Sequence, residues 1–304
     1  MKLRKLSAIA ALLALALPAS ATILGTYNIR YDNKGDVKEG NSWERRAPVV
    51  AGLIRFHDFD LLGTQEGLPK QMDDLCKLLA DDYGCSMHGR DDGKRAGEHI
   101  GIFFKKDKYE LLEDGFFWIS PTPDQPGKGW DAQLPRICGW AKLKRKADSK
   151  IQFVFATHLD HRGKESRQQG MALILKKIEE IAKQEQVYLM GDFNSDQHSE
   201  AYQTVESSSR FADSYENAKI RFAPNGTPNK FDTNAMTESR IDHIFVGEGI
   251  PVRRYGVLTD SYRVPTAPDP AESQSGNFPK EVTFEKYEAR LPSDHFPVLA
   301  ETVD

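Results

Sequence analysis

Several polar residues fall at the tips of apolar, β-rich runs. Asn28 closes the run that starts at Thr22, Glu66 closes Leu61-Leu-Gly-Thr-Gln-Glu66, and His158 closes Phe153-Val-Phe-Ala-Thr-His158. Asp192 and Asn194 follow Val187-Tyr-Leu-Met-Gly, Asp242 lies within Ser239-Arg-Ile-Asp242-His-Ile, and Asp294 with His295 precedes the last apolar run. A strand tip projects its side chain into a cleft at the rim of a sheet. Carboxylates, amides and imidazoles at six such tips form a set that can accept, donate and shuttle protons. Each residue alone has an ordinary reading, since Asp and Asn after a strand are common turn formers. The set is accounted for at once by a single convergent site.

Such a site needs a scaffold that brings the tips together. Nine segments have the composition of strands: Thr22 to Ile29, Phe59 to Thr64, His99 to Phe104, Phe116 to Ile119, Ile137 to Leu143, Ile151 to His158, Val187 to Gly191, Ile241 to Val246 and Pro297 to Thr302. Three helices are expected. The first runs from Trp43 to His57 behind a capping box at Asn41-Ser42-Trp43-Glu44. The second runs from Lys70 to Ala80, with Met72, Leu75, Leu78 and Leu79 on one face. The third runs from Glu165 to Lys183, with Met171, Leu173, Ile174, Ile178 and Ile181 inward. Strands occur both alternating with helices and in helix-free succession, which suits two mixed sheets packed face to face with helices outside. No linker or internal repeat divides the chain, so one domain is expected. Pro121 to Pro135 and Val264 to Pro279 read as long surface loops that line a site or are disordered.

The N-terminus reads as an address. Lys2, Arg4 and Lys5 precede an apolar run from Ala8 to Leu17 and an Ala19-Ser20-Ala21 cleavage site, the pattern of a secretory signal. The run is too short for a comfortable span and no second one follows, so no stable membrane anchor is expected and the protein should be periplasmic or secreted. The chain of 304 residues has 41 basic and 45 acidic side chains and a net charge of −4. Without the three basic residues of the leader the balance falls to about −7, which disfavours a non-specific grip on nucleic acid. Three cysteines are too few for a disulfide framework. Cys76 and Cys85 could pair, Cys138 looks like a buried strand position, and no Cys/His zinc spacing occurs.

The order of Gly25-Thr-Tyr-Asn28, Thr64-Gln-Glu66, Thr157-His158, Gly191-Asp192-Phe-Asn194, Arg240-Ile-Asp242-His-Ile and Ser293-Asp294-His295-Phe-Pro297 resembles the endonuclease/exonuclease/phosphatase superfamily. That superfamily includes deoxyribonuclease I, the abasic-site endonucleases, bacterial sphingomyelinases and inositol polyphosphate 5-phosphatases. The resemblance covers residues 22 to 304. It implies an α/β fold, a four-layer α/β/β/α sandwich of two mixed sheets flanked by helices, and a phosphoester hydrolase dependent on Mg²⁺ or Mn²⁺. By the same resemblance Glu66 is the principal metal carboxylate, Asn28 a metal-site residue and Asp294 a second metal-side acid. Asp192 and Asn194 position or deprotonate the attacking water and hold the phosphate, His295 faces the phosphoryl oxygens, and Asp242 orients His295. His158 is similar to the second histidine of the deoxyribonuclease I and sphingomyelinase branches, with Glu98 as its carboxylate partner, and each acid would keep its imidazole protonated longer.

Arg136 opens a strand after the first long loop. It could clamp a phosphate, or serve as a structural arginine. Asp160, His161 and Arg162 could line the cleft or be loop residues, and Trp43 reads as core with a solvated Arg46 beside it. Phe116-Phe117-Trp118 reads as a buried strand rather than a membrane-inserting hairpin. The basic run Lys142 to Lys146 should lie at the end of the sheet away from the cleft. The substrate expected from these features is a small or medium phosphoester met outside the cell, with a secreted nuclease as the alternative and a monomer as the working unit.

Overall fold

A computed structural model describes residues 21–266, 277, 279, 281–282, 284 and 286–303. Residues 1–20 of the expected 21-residue leader, and most of the Val264 to Pro279 segment, lie outside them. Two large sheets stack face to face. The first has seven strands, whose centre is β1 (Ala21–Asn28) and β2 (Leu61–Gly67), parallel to each other. The second has six, centred on the parallel pair β7 (Ile151–His158) and β8 (Gln186–Asp192). β4 (His99–Lys105) and β15 (Val298–Val303) flank the first pair, both antiparallel to it. β6 (Ile137–Arg145) and β11 (Asp242–Gly247) flank the second in the same way.

Between the sheets lie Leu24, Leu61, Ile102, Val154, Ala156, Met190, Ile244 and Val298, all nearly or fully buried. Gly63 lets the layers approach, since a Cβ there would sit 3.0 Å from Met190 and 3.1 Å from Ala156. Helices cover both outer faces. α2 (Trp43–Phe56) and α3 (Pro69–Leu78) bury Trp43, Val50, Ile54, Met72 and Leu75 against one sheet. α4 (Lys164–Ala182) buries Met171, Ile174 and Ile178 against the other. The fold is the four-layer α/β/β/α sandwich.

Fifteen strands appear among the described residues where nine were expected. Strands without a β-branched run escaped notice, such as β3 (Tyr83–Gly89), sequence Tyr-Gly-Cys-Ser-Met-His-Gly, which gets its order from pairing with β4. Val264 and Pro265 belong to a strand, β13 (Tyr262–Pro265), paired with β14 (Tyr287–Arg290), so they are not loop. The capping box of α2 does not form. Ser42 makes no side-chain cap, and Asp32 accepts from the Trp43 N–H at 3.1 Å instead. Leu78 turns outward, while Leu79 is fully buried. Cys76 and Cys85 form a disulfide joining α3 to β3, and Cys138 is free and buried.

Candidate active site

The topology explains why the chosen tips meet. Parallel β1 and β2 end at one rim, parallel β7 and β8 end at the same rim of the other sheet, and antiparallel β11 and β15 begin there. Asp192 and Asp242 are direct register partners. Glu66 is placed by a β-bulge. Two residues of β2 stand between the pairs Thr64 with Gly101 and Gly67 with His99, and Glu66 takes φ 67°. Arg30 and Asn194 also hold positive φ, at 56° and 46°, so left-handed residues gather at the cleft. Gly191, just before Asp192, has φ 147° and lies where a Cβ would meet the Thr157 carbonyl oxygen at 2.0 Å.

An open cleft of about 590 Å³ results, lined by Glu66, Glu98, Arg136, His158, Asp192, Asn194, Asp294 and His295 together with Arg30, Tyr31, Arg90, Leu134 and His161. The Asn28 amide donates to Glu66 Oε1 and to Asp192 Oδ2, both at 2.9 Å, and its oxygen accepts from the Arg30 N–H at 3.0 Å. Asn28 is therefore set to orient two carboxylates, with its oxygen turned away from them. Glu66 Oε2 accepts from the Tyr31 N–H at 3.2 Å. Asp192 Oδ1 accepts from the Asn194 N–H at 2.8 Å, and the Asn194 amide donates to His158 Nε2 at 2.9 Å. His295 Nδ1 meets Asp242 Oδ2 at 2.8 Å, and its Nε2 lies 3.9 Å from Asp192 Oδ2. Asp294 Oδ2 is 3.2 Å from Arg30 Nη1.

The Endonuclease/Exonuclease/phosphatase family model matches residues 25–295. The chain belongs to this family. Its members hydrolyse phosphoester bonds and typically use a divalent metal. A family protein from Bacteroides thetaiotaomicron is 43% identical, with a TM-score of 0.85 over 94% of this chain and 98% of that one. A mannosyl-6-phosphatase from the same organism is 44% identical, with a TM-score of 0.83 over 93% of this chain and all of that one. Human Nocturnin, with a bound sulfate, shares the fold at 17% identity, with a TM-score of 0.64 over 93% of each chain. No curated protein matches the chain.

The donor set suits the metal this family typically uses. One ligand atom each of Glu66, His158 and Asp192 lie within 4.8 Å of one another, and the same holds for Asp192, Asp242 and His295. That span fits donors around one divalent ion, and the carboxylate of Glu66 on the cleft wall suits a hard one. Asp294 falls in neither group and lies 3.2 Å from Arg30 Nη1.

The two histidines differ. Burial works against protonation of His295, but Asp242, Asp192 and Asp294 outweigh it and raise its pKa well above the usual value. Burial, with Arg136 and Arg90 nearby, pushes His158 well below the usual value. This corrects the expectation that Glu98 keeps His158 protonated. Glu98 lies 2.6 Å from Arg90 Nη1 and 3.8 Å from His158 Nδ1, so it is held by the arginine rather than by the imidazole. Burial, then Glu66, pushes Glu98 up to about 7. Burial, then Asp242, likewise pushes Asp192 up to about 7.

Arg30 and Arg90 escaped the sequence reading. Arg30 follows the GTYN motif by two residues, and that nearness was the available signal. Arg46 is fully buried rather than solvated. It donates to the carbonyls of Ile29, Arg30, Asn41 and Pro292, fastening the two motif-bearing turns at Asn28 and His295 to α2. Arg136 is buried too, and Trp43, as expected, is core.

Proposed function

We propose that the protein is an Mg²⁺- or Mn²⁺-dependent phosphatase acting on a small phosphorylated sugar. The observation that carries the reading is Asp192, whose carboxylate is held by Asn28 and the Asn194 N–H within reach of both histidines and of Glu66. Asp192, with a pKa near neutrality, takes the proton of the attacking water. Asn194 and neutral His158 position that water and the phosphate, while His295, kept cationic by Asp242, donates to the phosphoryl oxygens as charge develops on them. Glu66 would hold the metal, with Asn28 fixing the carboxylate and Asp294 balancing Arg30. When bound, the ion acts as a Lewis acid that neutralises charge on the phosphoryl group. The sugar phosphate as substrate is supported by the mannosyl-6-phosphatase, which is 44% identical, and by the acidic net charge, which opposes a nuclease role.

Purified protein with Mg²⁺ or Mn²⁺ is expected to release phosphate from mannose 6-phosphate and p-nitrophenyl phosphate, and EDTA is expected to abolish it. Glu66→Gln should weaken Mn²⁺ binding in titration calorimetry by at least the roughly 10- to 100-fold that losing an outer-shell partner costs. Plasmid nicking at low enzyme with no release from either monoester would overturn the phosphatase in favour of a nuclease. Residues 1–21 are read as an export leader, and mass spectrometry of protein from the periplasm or medium should find Thr22 at the N-terminus. Intact protein retained in the cytoplasm would exclude export.

A further inference from the structure

The turn after β7 is built more elaborately than a connector needs. Asp160 is 1% exposed and accepts from the N–H groups of Arg162 and Gly163 at 3.0 and 2.8 Å through Oδ1, and from the Leu134 N–H at 3.2 Å through Oδ2. Burial works against its ionisation, but the backbone N–H groups of Gly163, Gln133 and Arg162, with Arg136 nearby, outweigh it and hold its carboxyl down to about 2. Arg136, 4% exposed, sits 3.5 Å from Asp160 through Nε and donates from Nη2 to Nδ1 of His161 at 3.1 Å. Taking a guanidinium out of water is costly. Here its shortest side-chain hydrogen bond goes to an imidazole that is itself exposed on the cleft wall.

That hydrogen bond sets a tautomer. A guanidinium only donates, so His161 Nδ1 must accept and the ring proton sits on Nε2. Nε2 is on the edge of the ring opposite the buried arginine. Burial and Arg136 lower the pKa of His161, so the ring remains neutral. A neutral N–H donor suits an uncharged oxygen, a hydroxyl or ring ether, better than a second phosphate. The neighbouring wall is equally fixed. Leu134 is tied to Asp160, and Asp131 accepts from the Ser166 N–H at the start of α4 at 2.6 Å.

We propose that His161 is a specificity-determining residue, whose Nε2–H, oriented by Arg136 and Asp160, hydrogen-bonds an uncharged oxygen of the sugar carried by the scissile phosphate. The proposal rests on the phosphatase reading and names the part of the cleft that recognises the leaving group. His161→Asn can still present an oxygen to Arg136, because the Asn amide lies where Nδ1 was, but it cannot reach the substrate. His161→Gln places an amide N–H near the position of Nε2.

The test is steady-state kinetics of the wild type and both variants, loaded with Mg²⁺, on mannose 6-phosphate and on p-nitrophenyl phosphate, which has no sugar hydroxyls. His161→Asn should raise KM for the sugar ester about tenfold with kcat little changed, the signature of lost uniform binding. Its kcat/KM on the aryl ester should stay within about threefold, and His161→Gln should recover most of the sugar-ester loss. Equal losses on both esters, or no loss on the sugar ester, overturn the role of His161 while leaving the phosphatase reading intact. A wild type that hydrolyses neither ester sinks that reading and this inference with it.

Discussion

The two histidines of the cleft have similar surroundings by count and opposite ones by effect. Each lies near Asp192, and each has a second carboxylate within 4 Å of its Nδ1. At His295 that carboxylate is Asp242, 2.8 Å away and fully buried, with no Lys or Arg bonded to it among the described residues. At His158 it is Glu98, 3.8 Å away and ion-paired with Arg90. One imidazole is stabilised as a cation, and the other is kept a neutral acceptor by burial and by the positive charges of Arg136 and Arg90. Proximity in space to an acid therefore does not by itself fix the protonation state of a histidine. Burial, and what the acid is already bonded to, decide it together.

The largest effects should come from breaking what the halves share. Asp192→Asn removes the base and His295→Ala removes the cationic donor, and each should lower kcat by about 10²- to 10⁴-fold. Thermal melts should show a folded protein in both cases. A variant keeping more than about a tenth of the activity would refute its assigned role.

Replacing the two partner acids compares the halves directly. Asp242→Asn should cost about 10²-fold in kcat and move the alkaline limb of the pH profile to lower pH, because the charge that raises the pKa of His295 is gone. Glu98→Gln should cost less than about tenfold, since that carboxylate supports Arg90 more than His158. Stability follows the same logic. The folded-state pKa of His295 is raised above its unfolded value, so the stabilisation by Asp242 is complete below about pH 6.5 and is lost as pH rises through the folded-state pKa. Denaturant midpoints should accordingly show a larger deficit for Asp242→Asn near pH 6 than at about pH 9. Equal kcat losses for the two acids would erase the distinction.

Much of the architecture was legible because it rests on local signals. The central strands β1, β2, β7, β8, β11 and β15 carry apolar runs, and α2 and α4 carry helical periodicity, so they could be read directly. The acids and imidazoles at the strand tips stood out because polar residues closing apolar runs break the pattern. What stayed hidden depends on pairing across the chain. β3 becomes a strand through β4, the cap of α2 comes from Asp32, and Arg46 is buried because four carbonyls from three segments converge on it. Arg90 lies eight residues from Glu98, and nothing in that spacing announces an ion pair that diverts the carboxylate from His158.

Arg90→Met is the subtlest way to sharpen the comparison, because it should convert one half partly into the other. Removing the guanidinium takes away a positive charge that disfavours protonated His158 and frees Glu98 to approach Nδ1. The loss of that charge raises the pKa of His158. In the wild type that pKa lies below the unfolded value, so the site favours folding above it and loses that contribution as pH falls. The substitution should therefore reduce acid destabilisation through His158. Activity near neutral pH should fall only a fewfold, by about two- to fivefold, as the acceptor at Nε2 becomes a donor in part of the population and its bond from Asn194 is broken. Nuclear magnetic resonance titration of the ring protons reads the shift directly. An unmoved His158 titration in Arg90→Met would mean that burial alone sets its protonation state, and the contrast with His295 would then reduce to depth rather than partners.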